Sequence, residues 1–113
     1  GSVMTLAFEI DAQEFLALNG GPIFQFTEAV SLMVKCETQE EIDHMWEALS
    51  RGGEEGQCGW LKDKYGLSWQ IVVPQWDERL RDKDAARSER VMAAILSMTK
   101  PDLQCVQRAY EGR

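Results

Sequence analysis

The segment 52–74, GGEEGQCGWLKDKYGLSWQIVVP, constrains the fold more than any other part of this chain. Two glycines at its start permit the positive φ angles at which helices commonly end. The residues that follow alternate in character over 57–62 and 67–73, and this predicts two strands because successive side chains of a strand point to opposite faces. Gly66 closes the turn between them, and Pro74 stops the second strand because proline has no backbone donor. The segment is therefore predicted to be a β-hairpin.

The residues before this hairpin predict a strand and a helix. AVSLMVKC, residues 29–36, is predicted to be a strand. One face of that strand carries Val30, Leu32, Val34 and Cys36. Thr38 and Glu41 have capping-box spacing, which predicts that a helix begins there. The apolar stripe of this helix comprises Ile42, Met45, Trp46 and Leu49. With a short strand near 54–56, the order becomes strand, helix and three strands.

This βαβββ order, with these residues, resembles the second module of the glyoxalase, bleomycin-resistance and extradiol dioxygenase (VOC) superfamily. More narrowly, CETQEEIDHMWEALSRGGEEGQCGWLKDKYGLSWQIVVP and ALNGGPIFQFTEAVSL are similar to the PhnB-like group, which carries the label 3-demethylubiquinone-9 3-methyltransferase. The C-terminal ERVMAAILSMTKPDLQCVQRAY also fits that group. The resemblance implies an α+β fold in which a curved mixed sheet surrounds a cleft.

The same resemblance predicts one domain, 1–113, in three parts. Residues 1–22 are expected to be a β-hairpin from an incomplete first module, 28–74 the second βαβββ module, and 75–113 two C-terminal helices. Asp84 is a plausible N-cap for the first of these helices, and Pro101 breaks it. The chain is either naturally short or lacks an N-terminal portion. A short form leaves sheet edges unpaired, so a homodimer is expected.

Composition narrows the range of partners. A length of 113 residues with 44% hydrophobic content suits one compact domain. The formal charge of −7 argues against nucleic acid, whose phosphates require a basic face. The sequence contains neither an apolar run long enough to cross a bilayer nor a leader pattern. A cytoplasmic protein without a membrane partner is therefore expected.

The superfamily resemblance also raises the question of a metal, because many members hold a divalent ion with His, Gln or Glu. The common pattern places a Glu four residues after the turn glycine, where this chain has Gln70. Where a His often begins the module, this chain offers Glu28, Ala29 and Ser31. Its single histidine, His44, is predicted on the solvated face of the helix. A site without imidazole, thiolate or a pair of carboxylates binds a transition metal weakly, so no metal site and no cofactor are predicted. A bound divalent metal is the alternative.

Five residues are predicted to bind a small-molecule ligand. They are Cys58, Trp60, Ser68, Trp69 and Gln70. Each tryptophan is either core packing against the helix or a flat wall for the ligand. If Trp69 faces the helix, alternation places Ser68 and Gln70 on the cleft side.

Other polar and sulfur-containing side chains also have two interpretations. Cys58 is either a ligand-contacting thiol or a packed one, whereas Cys36 is predicted to fill the core. Glu54 and Glu55 lie either in solvent or at the cleft rim. The odd number of widely spaced cysteines indicates reduced thiols.

These observations predict a small-molecule-binding module without a catalytic metal. The alternative is a metal-dependent lyase, isomerase or dioxygenase of the superfamily, with Gln70 as one ligand. Catalysis is left open by the sequence. The methyltransferase label has no support in the residues, because the chain lacks a glycine fingerprint for a methyl donor after a strand.

Overall fold

The computed structural model describes residues 3–113. Gly1 and Ser2, with which the predicted hairpin segment 1–22 begins, lie outside the described residues. The elements in chain order are β1 (Thr5–Ile10), β2 (Gln13–Leu18), β3 (Ser31–Lys35), α1 (Gln39–Ser50), β4 (Glu54–Glu55), β5 (Trp60–Lys62), β6 (Ser68–Val72), α2 (Trp76–Leu80), α3 (Ala85–Ser97) and α4 (Leu103–Glu111).

The central unit is a four-stranded sheet in the order β3-β6-β5-β4. Strand β3 runs parallel to β6, while the β6-β5 and β5-β4 pairs are antiparallel. Helix α1 makes the crossover between β3 and the remaining strands, as a parallel pair requires. The predicted α+β architecture and the βαβββ order are both present.

Helix α1 begins where the capping box predicts. The Thr38 hydroxyl accepts a hydrogen bond from the Glu41 backbone N–H at 3.1 Å and donates one to the Glu41 carboxylate at 3.3 Å. The helix buries Ile42 and Trp46 against the sheet, and His44 is exposed as predicted. The core cluster consists of Cys36, Ile42, Trp46, Leu61, Trp69, Ile71, Val73, Trp76, Val91 and Val106.

The turn between β5 and β6 is organised by one carboxylate. Asp63 Oδ1 accepts from the backbone N–H groups of Tyr65 and Leu67, and Oδ2 accepts from the Trp69 indole at 2.9 Å. Gly66 adopts a φ of 87°, as the predicted turn requires. The side chain of Asp63 therefore fixes both the turn and the orientation of a core tryptophan.

Three strands are shorter than the sequence predicts, and β6, which spans Ser68–Val72 instead of 67–73, differs least. Strand β5 begins at Trp60 rather than at residue 57, because Cys58 and Gly59 have φ angles of 57° and 85° and interrupt an extended chain. Strand β3 begins at Ser31, and Val30 lies before it with 66% of its surface exposed. Alternation alone overestimated β5 and β3 at their N-terminal ends.

The first hairpin forms a separate two-stranded sheet, β1-β2. Its two-residue turn is Asp11-Ala12, with φ angles of 50° and 66°, which is the left-handed geometry that suits the twist of a hairpin. The Phe8 and Phe15 rings stack across the strands with centroids 5.4 Å apart. The chain as a whole is elongated, with extents of 60 × 26 × 22 Å.

The C-terminal region contains three helices rather than the two predicted. The additional helix, α2, is only five residues long and buries Trp76. Asp84 caps α3 as predicted, since its side chain accepts from the N–H groups of Ala86 and Arg87. None of the helices found over residues 3–113 is long and apolar enough to cross a membrane.

Candidate ligand-binding site

Strand alternation gives the four-stranded sheet a covered face and an open face. Leu61, Trp69 and Ile71 belong to the core cluster beneath α1. The intervening positions of β5 and β6 point the other way, because neighbouring strand residues alternate. We define the open face by the residues Ser31, Met33, Glu54, Trp60, Lys62, Ser68 and Gln70.

The register of the strands arranges the open face in two rows. In the first row Glu54 pairs with Lys62, Lys62 with Ser68, and Ser68 with Ser31. In the second row Gln70 lies between Trp60 and Met33. The first row therefore carries two charged side chains and two hydroxyls, and the neighbouring row carries the Trp60 indole and the Gln70 amide.

Ser68 is the unusual member of the first row. It is 1% exposed, and its Oγ has no hydrogen-bond partner among residues 3–113. A buried polar group without a partner costs about 1–3 kcal/mol, so most such groups in folded proteins are satisfied. The hydroxyl is therefore suited to a partner from outside the described chain, such as a ligand group or water.

Ser68, whose Oγ is itself buried, is one of the residues that line a cavity of about 540 Å³. The other lining residues are Glu28, Glu54, Glu55, Gly56, Gln57, Trp60, Leu61 and Lys62. This volume lies within the usual range for small-molecule sites, about 300–1,000 Å³. The cavity combines one aromatic wall, one buried hydroxyl and several charged groups.

An ion pair stands at this cavity between the connecting segment and β5. The Lys62 ammonium contacts the Glu28 carboxylate, and both side chains are exposed to solvent. The hydrogen bond from Lys62 lowers the pKa of Glu28, and the same bond raises the pKa of Lys62. Because solvent screens an exposed pair, it orients the two groups more than it stabilises the fold.

A second carboxylate of the cavity is held from the opposite side of the sheet. Glu55 accepts a hydrogen bond from the Trp46 indole nitrogen at 2.9 Å. Trp46 is buried in α1, so this bond ties the edge strand β4 to the helix. The position of the cavity rim therefore depends on the packing of α1.

The residues at the positions where the superfamily pattern places metal ligands contact other protein groups. Gln70 Nε2 donates to Ser31 Oγ at 2.8 Å, so the two positions satisfy each other. Across residues 3–113, no group of three His, Cys, Asp or Glu side chains could hold an ion. The donor set in this part of the chain therefore does not fit the divalent metal that the resemblance implies.

Two of the five predicted ligand-binding residues lie away from the open face. Trp69 is in the core cluster. Cys58 precedes β5, and its thiol lies 3.7 Å from the Leu96 carbonyl while its backbone N–H donates to the Met98 carbonyl at 2.8 Å. The physical reason is the left-handed backbone at Cys58, which replaces the predicted strand. The fold brings together Trp60, Ser68 and Gln70.

Sequence reasoning did not assign Lys62 to the site and considered Glu28 only as a possible metal ligand. Alternation identifies Lys62, because it lies two residues after Trp60 on the same strand. Glu28 comes from an irregular connecting segment, where no periodicity indicates which way a side chain points. Glu54 and Glu55, for which two interpretations were open, both line the cavity.

A larger space, the hairpin groove, lies between the tip of the first hairpin and the edge of β3. Its volume is about 970 Å³. Its lining is mainly apolar and includes Ile10, Phe15, Leu32, Val34, Met45, Leu49 and Trp69. No buried polar atom without a partner lines this groove among the described residues. Its chemistry suits the burial of apolar surface better than the recognition of a polar ligand.

Comparison with known proteins identifies the family. A model of the family described as 3-demethylubiquinone-9 3-methyltransferase matches residues 1–72. Among solved structures, the PhnB protein from Bacillus cereus is 38% identical with a TM-score of 0.59, over 65% of this chain and 66% of that chain. The aligned region is thus slightly less than two thirds of the Bacillus cereus protein. No curated protein matches the chain.

The structural match confirms the glyoxalase-like α+β fold predicted from the sequence. The family match covers well over half of the chain and agrees with the motifs on which the resemblance was based. The chain therefore belongs to the PhnB-like family described as 3-demethylubiquinone-9 3-methyltransferase.

Proposed function

We propose that this protein is a small-molecule-binding module without a catalytic metal, and that its ligand occupies the cavity on the open face. The observation that carries this proposal is the buried Ser68 hydroxyl without a hydrogen-bond partner among the described residues. A buried polar group without a hydrogen bond destabilises the free protein, and a bound ligand that supplies the missing hydrogen bond removes this destabilisation. Trp60 lines the same cavity and offers a flat apolar wall, and Gln70 lies next to Trp60 across the strands.

A pair of serine variants tests this proposal. Ser68→Ala removes a buried hydroxyl that has no partner in the described part of the chain, so we expect the free energy of unfolding of the ligand-free protein to rise by about 1 kcal/mol. Ser31→Ala is the matched control on the same face, because its hydroxyl accepts from Gln70. We expect this control to lower the free energy of unfolding by a similar amount. Urea titration followed by tryptophan fluorescence measures both.

The opposite sign for Ser68→Ala would overturn the observation on which the proposal rests, because it would mean that the hydroxyl is satisfied within the protein. Ligand binding is then measured directly by ¹H–¹⁵N NMR with a fragment library. The expected signature is a set of chemical-shift changes at the Trp60 indole and at the backbone amides of Ser68 and Gln70.

Elemental analysis of the purified protein tests the alternative function, a metal-dependent lyase, isomerase or dioxygenase. Stoichiometric metal in the native protein that is lost in Gln70→Ala would favour this alternative.

We further propose that the functional unit is a homodimer. The first hairpin exposes apolar side chains on the face that borders the hairpin groove, including Leu6 at 59%, Phe8 at 40% and Ile10 at 42%. A two-stranded hairpin is marginally stable in water unless its apolar face is covered. Strand β3 also lies at the edge of its sheet, with β6 as its neighbour. A second copy supplies an apolar surface of the same kind.

Light scattering tests the dimer. We expect the native protein to have about twice the mass of one chain, and Leu6→Glu to weaken dimerisation by about tenfold or more because it places a charge in the apolar face. Thr5→Glu is the control, since it adds the same charge to the other face of the same strand. A native protein that is monomeric at high concentration, or equal effects of the two variants, would contradict this interface.

A further inference from the structure

We infer that the ligand of the open-face cavity is an organic cation, in which a protonated amine is attached to a flat apolar body. This inference rests on the proposed function and specifies the chemistry of its ligand. It is carried by the cavity's charge, by one carboxylate without a hydrogen bond or ion pair among residues 3–113, and by the aromatic wall beside it.

The charged groups of the cavity are predominantly acidic. Three carboxylates, those of Glu28, Glu54 and Glu55, share the cavity with one ammonium, that of Lys62. The field of the whole chain has the same sign, with a formal charge of −7. The charge of the whole chain therefore attracts a cation at long range, and at short range the attraction depends on which of the three carboxylates is available.

The three carboxylates differ in their availability. Glu28 is paired with Lys62, and Glu55 accepts from the Trp46 indole. The Glu54 side chain has neither a hydrogen bond nor an ion pair within the described residues, although its backbone is fixed opposite Lys62 by the β4-β5 ladder. Glu54 is therefore the carboxylate that can pair with an incoming ammonium without losing a hydrogen bond, although its charge also acts on Lys62 and helps to raise the pKa of that ammonium.

The remaining groups match the rest of such a ligand. An indole face attracts a cation through its quadrupole and packs against a flat apolar body, so Trp60 can serve both parts. The Ser68 oxygen, which is buried and has no partner among residues 3–113, can accept from an ammonium N–H if a small side-chain movement opens it to the cavity. An anionic ligand has a poorer match, because Lys62 is already paired with Glu28 and lies opposite Glu54 in the sheet.

The experiment is an NMR titration of the native protein with three probes that share an aromatic ring and differ in charge. These are 2-phenylethylamine, 2-phenylethanol and 3-phenylpropionate. We expect the amine to bind at the open face about tenfold more tightly than the alcohol, and the carboxylate to bind least. Glu54→Gln should remove most of that preference. Glu40→Gln is the control, because it removes the same charge from an exposed position on α1.

The outcomes separate the inference from the proposed function. If the amine is preferred and Glu54→Gln alone abolishes the preference, the inference holds. If the probes shift the Trp60, Ser68 and Gln70 signals without a preference for the amine, the cation assignment is overturned while the binding site stands. If 3-phenylpropionate binds best and Lys62→Met removes its binding, the site is an anion site. If a broader fragment library also leaves these signals unchanged, both proposals fail.

Discussion

Replacing Gly59 with alanine is expected to destabilise the protein by about 4 kcal/mol. Two independent causes add. The residue has a φ of 85°, which side chains with a Cβ adopt only at a cost. A Cβ at this position would also lie 2.6 Å from the Ile71 carbonyl oxygen, a backbone atom of the central strand. The sheet would have to shift to accommodate it.

Gly66→Ala is the matched control for this substitution. Gly66 has a nearly identical φ of 87°, but a Cβ there would meet nothing within 4 Å. Gly66→Ala should lower the free energy of unfolding only by the cost of placing alanine at a positive φ, about 1 kcal/mol. Urea unfolding of both variants measures the difference, which isolates the steric contact. Equal losses in the two variants would show that the approach of Gly59 to β6 is not restrictive.

Replacing Trp46 with alanine is expected to cost about 4 kcal/mol, a large part of the 5–15 kcal/mol typical of a domain. Trp46 is 5% exposed in the core between α1 and the sheet, so its removal leaves a cavity. The same change removes the indole hydrogen bond to Glu55. We expect the edge strand β4, and with it Glu54, to become more mobile.

Trp46→Phe separates packing from the hydrogen bond. Phenylalanine retains most of the apolar volume but has no N–H donor, so the loss should be about 1–2 kcal/mol. Chemical denaturation gives the two free energies, and amide hydrogen exchange at residues 54–55 reports the mobility of β4. If the Phe variant loses as much stability as the Ala variant, the bond to Glu55 rather than burial dominates. If amide hydrogen exchange at β4 does not change in either variant, the hydrogen bond from Trp46 to Glu55 does not restrain the cavity rim.

The parts of the fold that follow from local rules could be predicted from the sequence. The Thr38 cap, the apolar stripe of α1 and the Gly66 turn each depend on neighbouring residues, and all are present. The interruption at Cys58 could not be predicted, because residues 57–61 alternate as a strand would. Its left-handed backbone depends on hydrogen bonds of Cys58 and Gly59 to the carbonyls of Met98 and Thr99, which are far away in the chain. Helix α2 was missed because five residues are too few to show a helical period.

The candidate site was predictable only in part, for the same reason. Alternation from Trp69 is enough to place Ser68 and Gln70 on one face. The isolation of the Ser68 hydroxyl depends on the cross-strand register with Lys62 and Ser31, which no local pattern determines. Glu28 reaches the site from a connecting segment whose path is set by tertiary contacts. Chemistry that depends on distant neighbours therefore remained hidden in the sequence.

The parallel pairing of β3 with β6 also determines how the chain can fold. Ser31 is opposite Ser68, so the central strand of the sheet is synthesised after α1, β4 and β5. Contacts between distant residues slow folding, since a long loop must close before they form. We expect the β5-β6 hairpin, whose turn Asp63 organises, to form early and to offer β3 a template. Until then β3 is an apolar strand without its neighbour, and a nascent chain is most exposed to aggregation over this interval.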